Sequence, residues 1–312
     1  MNLYEDEKRI INRKKKQNKI KRKKKYLIFL KIKICILFFS FILILFALRL
    51  IFMKKPYKKS LNENYSNNNS NNNSYNNLNN NITVFPESII FISYAQFLED
   101  LILLCFFYDV KNGFYIDVGA NSPNEYSVTK YFYYQGWNGI NIEPLEKEYD
   151  SLIKERPRDI NLNILAGNET GNKTFYMHET LSTYKKNLSK PNYIPKNVEI
   201  DTMTNICRKY IPKNKKIDFC KIDVEGAEKD VLLGYDFENY RPKVLCIESI
   251  SVLDKSPIQS TFEYILFKND YSFAYEYKSN RFYVDNKIEG LKERINLIDG
   301  TIKLYKSNFV RN

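Results

Sequence analysis

The chain has 312 residues, enough for one large domain or two small ones, and a net charge of +13. Residues 1–59 hold 19 of the 49 basic side chains and 3 of the 36 acidic ones, so they carry +16 while the remaining residues carry −3. A body this near neutrality lacks the field that phosphate-backbone binding needs. Five cysteines without a C-x-x-C pair, and a single histidine, exclude a structural zinc site and a disulfide framework.

Residues 8–25 contain twelve Lys/Arg, and residues 34–48 read ICILFFSFILILFAL with no charge. Arg49 interrupts the run and Leu50 to Met53 extend it. About 20 residues at a rise of ~1.5 Å match the hydrocarbon thickness of a bilayer. The division expected is a basic leader (1–33), a transmembrane helix (34–53) and a linker (54–84). The leader is too long for a cleaved signal peptide and no small-x-small site follows, so the span reads as a retained signal-anchor. The positive-inside bias puts the N-terminus in the cytosol and the body in an extracytoplasmic or lumenal space, although Lys54, Lys55, Lys58 and Lys59 weaken that bias. Residues 61–81 contain 13 Asn with no apolar period, which reads as a flexible tether. Its N-x-[ST] sequons at Asn64, Asn68, Asn72 and Asn81 are what chance produces in so Asn-rich a tract.

The globular part is expected over 85–312. Tyr94 to Phe107 is apolar at helical spacing. Strands are expected at Phe114–Val118, Gly139–Ile142, Asn161–Ala166, Ile217–Ile222 and Lys243–Ile247. Helices are expected at Ser127–Gln135, Glu146–Lys154 and Ala227–Leu233. Phe273–Tyr277 and Arg281–Val284 read as a hairpin. This alternation predicts an α/β fold: a mostly parallel sheet with helices on both faces and an antiparallel C-terminal edge. Cys220 and Cys246 fall in apolar strands and read as buried free thiols.

Ligands of such sheets bind beyond the carboxyl ends of the strands. The first strand ends in Asp117, followed by Gly119, Asn121 and Ser122 in the stretch GFYIDVGANSPNE. One glycine allows a close approach and a sharp turn. The further glycines of G-x-G-x-x-G are absent, which counts against a dinucleotide pyrophosphate. An acid pointing into the crevice would repel phosphate and tolerate a cation. Glu143 ends the second strand, where an acid commonly grips two ribose hydroxyls. A ribose clamp with a cation-tolerant acid and no phosphate cradle describes S-adenosylmethionine.

SYAQFLEDLIL (93–103), GFYIDVGAN (113–121), GWNGINIEP (136–144), RPRDINLN (156–163), LST (181–183) and IDFCKIDVEGAEKDVLLG (217–234) stand in order, followed by RPKVLCIE and NRFYV. The set resembles the FkbM-type methyltransferases over residues 92–285. The resemblance implies a Rossmann-like methyltransferase fold, S-adenosylmethionine as donor, and O-methylation of sugars or related hydroxyls. The donor-binding residues expected are Asp117, Gly119, Ala120, Asn121, Ser122 and Glu143. Ser122-Pro123 departs from the acid and glycine of many relatives.

The fourth strand runs into KIDVEGAE, where Lys221, Asp223 and Glu225 alternate and share a face if the chain stays extended. A hydroxyl is a poor nucleophile near neutral pH, so a base belongs here. Asp223 is the first candidate, Glu225 the second, and Lys221 a stabiliser of charge or the structural partner of Asp223. His178 reads as a surface loop residue. Asp223, Glu225 and Glu248 are possible oxygen ligands, but no metal is assigned. Two other readings remain: a non-catalytic tethered binding domain of the same fold, and a nucleic-acid methyltransferase with the leader as an arm. The near-neutral body and intervening span disfavour the second, and no nucleic-acid partner is expected. The expected partners are a sugar or glycan-like acceptor and, through the span, a membrane.

Overall fold

Phe114–Val118 is buried at all five positions, as a strand in the middle of a covered parallel sheet must be. It is β1 of the computed structural model, which describes residues 91–178, 182–188, 192–251 and 253–309. The leader, apolar run and Asn-rich tract expected over 1–84 lie outside those residues. Among the described residues no helix is long and apolar enough to cross a membrane.

Before β1 stands α1 (Glu99–Phe107); after it come α2 (Lys130–Tyr134), β2 (Asn138–Ile142), α3 (Glu146–Glu155) and β3 (Ile160–Leu162). Three further strands, β4 (Leu165–Gly167), β5 (Gly171–Met177) and β6 (Ile194–Thr202), precede α4 (Met203–Tyr210), β7 (Ile217–Ile222), α5 (Glu228–Leu233) and β8 (Pro242–Glu248). The chain closes with α6 (Glu263–Lys268), β9 (Tyr271–Tyr277), β10 (Asn280–Asp285) and α7 (Ile298–Phe309). The main sheet has seven strands in the order β3-β2-β1-β7-β8-β10-β9. It is parallel from β3 to β8, and β10 runs antiparallel to both β8 and β9.

Strand parity builds two cores. Phe114, Ile116, Val118, Cys220, Ile222, Leu245 and Ile247 pack with residues of α4, α5 and α6. Tyr115, Phe219, Val244 and Cys246 point the other way, into the residues of α1, α2 and α7. Helices therefore cover both faces, as expected. The four described cysteines are buried and free. The first helix is clasped by late residues: Asn280 donates to Glu99 at 2.7 Å, and Arg294 donates to the Phe106 carbonyl at 2.6 Å and pairs with Asp109.

Three expectations are corrected. The single strand over 161–166 is two strands in different sheets. Asn163 donates its side-chain amide to the Glu143 carbonyl at 2.9 Å, the pairing with β2 stops at Leu162, and Leu165–Gly167 pairs instead with β6. The helix expected over 127–135 begins only at Lys130, because the Ser127 hydroxyl accepts from Arg156 and the Thr129 hydroxyl donates to Asp117. The helical spacing from Tyr94 becomes helix only at Glu99. Ahead of it the Asp100 carboxylate accepts from the Ser93 hydroxyl and the Tyr94 and Ala95 N–H groups.

A second sheet, β4-β6-β5, was not expected. Its inward residues Leu165, Phe175, Val198 and Ile200 pack with Tyr184 and with Ala227 at the start of α5.

Candidate active site

The carboxyl ends of β1, β2, β7 and β8 and the inner wall of the second sheet enclose a cavity of ≈ 580 Å³. Gly119, Ala120, Asn121, Glu143, Lys221, Asp223 and Glu225 all line it, so the structure brings together seven of the nine residues expected to bind the donor or act in catalysis. Its apolar surface comes from Val118, Ile142, Pro144, Leu145, Ile164, Leu165, Ala166 and Phe175.

The loop after β1 is built around Gly119. Its φ is +77°, and a Cβ there would sit 1.9 Å from the Asp223 carbonyl oxygen, so only glycine fits. The Gly119 and Ala120 N–H groups both donate to the Ile142 carbonyl, at 3.0 and 3.1 Å. Asn121, itself at φ 50°, donates its N–H to Glu143 at 2.7 Å. The other Glu143 oxygen accepts from the Leu145 N–H at 2.8 Å. Burial pushes the Glu143 carboxyl up to about 7. A carboxylate oxygen accepts two bonds, so each retains one acceptor position after the backbone is served.

Two expected donor ligands lie elsewhere. Asp117 does not line the cavity. It is 2% exposed and sits on the α1/α2 face of β1, where it accepts from the Thr129 hydroxyl at 3.1 Å and faces the Lys221 ammonium at 3.4 Å. Burial raises its pKa, opposed by Lys221. Ser122 caps a turn, accepting from the Asn124 and Glu125 N–H groups at 3.2 Å each. The RPRDINLN motif braces these loops. Arg156, 2% exposed, donates to the Pro123 carbonyl, and Asp159 accepts from Tyr115, Gly139 and Asn141.

At the β7 end, Lys221 donates to the Gly119 carbonyl at 2.7 Å and lies 3.5 Å from Asp223. Burial alone would depress its pKa, but Asp223 and Asp117 outweigh burial and hold it above the ordinary lysine value. The alternation of 221, 223 and 225 does not continue as a strand, since β7 ends at Ile222 and Glu225 has φ 54°. The carboxylates meet through that turn instead: one oxygen from each of Asp223, Glu225 and Glu248 lies within 4.8 Å of the others. Burial, then the charge of Asp223, pushes Glu225 up to about 8. Burial, Asp223 and Glu225 push Glu248 up to about 11, and Glu248 shares a hydrogen bond with Asp223. A trio at this spacing can hold protons between its members or hold a divalent cation.

Sequence reasoning missed Glu228. It is 1% exposed, accepts from the Val224 and Gly226 N–H groups at 3.1 Å each, and so fixes the turn that presents Glu225. Its position at the start of α5 was the available signal, since a first-turn acid commonly reaches back to free N–H groups. His178 is half-buried rather than superficial, its ring stacked on Tyr193 at 4.8 Å between centroids.

The sequence model of the methyltransferase FkbM domain matches residues 117–272, half of the chain, and the chain belongs to that family. Among solved structures it is similar to a methyltransferase FkbM from Methylobacillus flagellatus, with 16% identity and a TM-score of 0.39 over 59% of this chain and 47% of the other. This chain thus spans about half the length of that protein. It is also similar to a putative RNA methyltransferase from Pyrococcus horikoshii (11% identity, TM-score 0.33, 60% of this chain and 83% of the other). A fibrillarin/Nop5p complex is matched at 12% identity and a TM-score of 0.35, over 64% of this chain and 88% of the other. No curated protein matches the chain.

Proposed function

We propose that this chain is an S-adenosylmethionine-dependent O-methyltransferase acting on a hydroxyl of a sugar, glycan or related metabolite, held at a membrane by residues 34–53. The observation that carries the reading is the division of one cavity into two ends. Glu143 is oriented by backbone N–H groups at one end, and Asp223, Glu225 and Glu248 converge at the other. The residues fit the donor. Glu143 retains acceptor capacity for a diol, Pro144, Leu145, Ile164 and Leu165 offer an apolar slot to a planar base, and the acidic end tolerates a cation.

Bound there, the donor supplies a methyl group on a positively charged sulfur and leaves as a neutral thioether. Asp223 accepts the acceptor's hydroxyl proton as the new O–C bond forms. Lys221, fixed between Asp117 and Asp223, holds the Asp223 carboxylate in place. Glu225 is the second candidate base, and its pKa of about 8 suits proton exchange near neutral pH.

The test is incubation of the full-length protein with methyl-labelled donor and a panel of saccharides, followed by location of the label. Transfer to a sugar oxygen is expected. Label on RNA, or donor binding without transfer to any acceptor, would replace this reading by one of the two weighed against it. With the anchor oriented by its basic leader, the catalytic body faces away from the cytosol and needs imported donor. Protease added to the cytosolic side of sealed membranes should then clip the leader and spare the body.

A further inference from the structure

Among the described residues nine non-glycine residues have left-handed backbone conformations, and five of them line the cavity: Asn121, Tyr126, Glu225, Lys255 and Lys278. Such conformations cost energy for residues with a Cβ, and functional sites collect them. Asn121 and Glu225 have roles above. The two lysines have none.

Lys255 lies at the tip of the loop after β8, at φ 61°. Its N–H donates to the Ser251 carbonyl at 3.0 Å, Ser251 in turn donates to the Ser256 carbonyl at 2.7 Å, and Ile250 bridges to Pro257. Lys278 lies in the β9–β10 turn, at φ 57°. That turn is pinned to the end of β8, because the Ser249 N–H and hydroxyl both donate to the Ser279 carbonyl, at 2.8 and 3.1 Å. Since β10 runs antiparallel between β8 and β9, its turn returns to the edge of the sheet that carries the cavity. Both lysines are exposed, and among the described residues neither makes an ion pair, a side-chain hydrogen bond or a ring contact. Lys221, the third cation lining the cavity, is by contrast fully engaged by Asp117, Asp223 and the Gly119 carbonyl. The Lys255 charge acts against the rise in the Glu225 pKa without forming an ion pair, and two other nearby acids are engaged elsewhere. Asp254 is hydrogen-bonded to Ser256 within its own turn, and Glu276 pairs with Arg281.

We propose that Lys255 and Lys278 form an anion clamp at the cavity mouth, so that the preferred acceptor is an acidic saccharide. The sugar's carboxylate or phosphate pairs with the lysines while a neutral hydroxyl reaches the carboxylates on the floor. This rests on the reading of the cavity as a methyltransferase site and narrows its acceptor. A neutral sugar satisfies only the floor. A cationic sugar is rejected at the mouth.

The test is calorimetric, on the full-length protein with S-adenosylhomocysteine added, using glucuronic acid, glucose 6-phosphate and glucose. Both acidic sugars should bind at least tenfold tighter than glucose, and tighter at low salt than at high salt. Glucuronate against phosphate tells which anion the clamp prefers. Lys255→Ala with Lys278→Ala should remove the preference while leaving glucose and S-adenosylhomocysteine affinities unchanged, and Lys→Arg at both should restore it. Equal affinity for acidic and neutral sugars, no detectable binding of either acidic sugar, or a preference that survives the double Ala variant would each overturn the clamp. Failure of S-adenosylhomocysteine itself to bind would instead overturn the donor reading.

Discussion

The two ends of the cavity handle a buried acid in opposite ways. At the β2 end, Glu143 stands alone, and each oxygen meets a backbone N–H from a different loop. At the β7 and β8 ends, Asp223, Glu225 and Glu248 face one another across less than 5 Å, with Lys221 as the engaged cation beside them. An isolated acid with fixed hydrogen bonds is a rigid acceptor, suited to holding a ligand. Crowded acids raise one another's affinity for protons, which suits proton movement. The same side-chain chemistry thus serves binding at one end and reaction at the other, according to its neighbours.

The largest effect of a single substitution is expected on stability, from Asp117, which lies beneath both ends. Asp117→Ala leaves Lys221 buried without one of its two acids and should cost about 3 kcal/mol. Unfolding followed through the single tryptophan, buried Trp137, measures it. Unchanged stability together with lost donor binding would return Asp117 to the binding end.

Asp223→Asn keeps size and removes basicity. Turnover should fall about 100-fold, equivalent to about 2.7 kcal/mol, with donor affinity nearly unchanged. If Asp223→Asn remains active and Glu225→Gln does not, the base is Glu225, and the contrast between the ends survives with its centre moved by two residues.

Glu143→Gln should act in the reverse sense, weakening donor binding about tenfold with a smaller effect on the rate at saturating donor. Calorimetry against steady-state rates separates the two. A variant with full donor affinity would erase the distinction between the ends.

The last effect is a slope with pH, spread over several units. Burial holds Glu143 and Glu228 at about 7 in the native state, against about 4.5 for an exposed glutamate. Between those values the native state binds more protons than the unfolded one, so this contribution is complete below the lower value and is lost as pH rises through about 7. The unfolding midpoint should therefore fall between pH 5 and pH 8. Glu143→Gln should flatten the slope.

Much of the main sheet is legible in the sequence because its central strands are buried on both faces and leave unbroken apolar runs. Phe114–Val118 and Ile217–Ile222 are found at their true bounds. The second sheet is not legible for the opposite reason. In β5 only Phe175 is fully buried, and in β6 Val198 and Ile200 stand among Lys196, Asn197 and Glu199, so the strands resemble loops. At the site, Gly119 and Glu143 are readable because they end strands at a switch in the chain path. Asp117 is misplaced by the same logic. Its position at a strand end is plain, but whether it faces the crevice or the helices depends on Thr129 and Lys221, 12 and 104 residues away. Glu248 converges on Asp223 only through the pairing of β7 with β8, and no local pattern records that.

The clasp of Asn280 and Arg294 on the first helix has a consequence for biosynthesis. The helix that opens the domain is completed by Asn280, 181 residues after Glu99, and by Arg294 beyond it. While the ribosome is still making the middle of the protein, Leu101 to Phe107 have only part of their cover, from Tyr115, Val128, Phe132 and Trp137. The nascent domain therefore leaves part of that helix exposed until residues 280–294 have been made. A stop codon before residue 280 would leave Glu99 and the Phe106 carbonyl without these partners, even though every residue from Gly119 to Glu248 had been made.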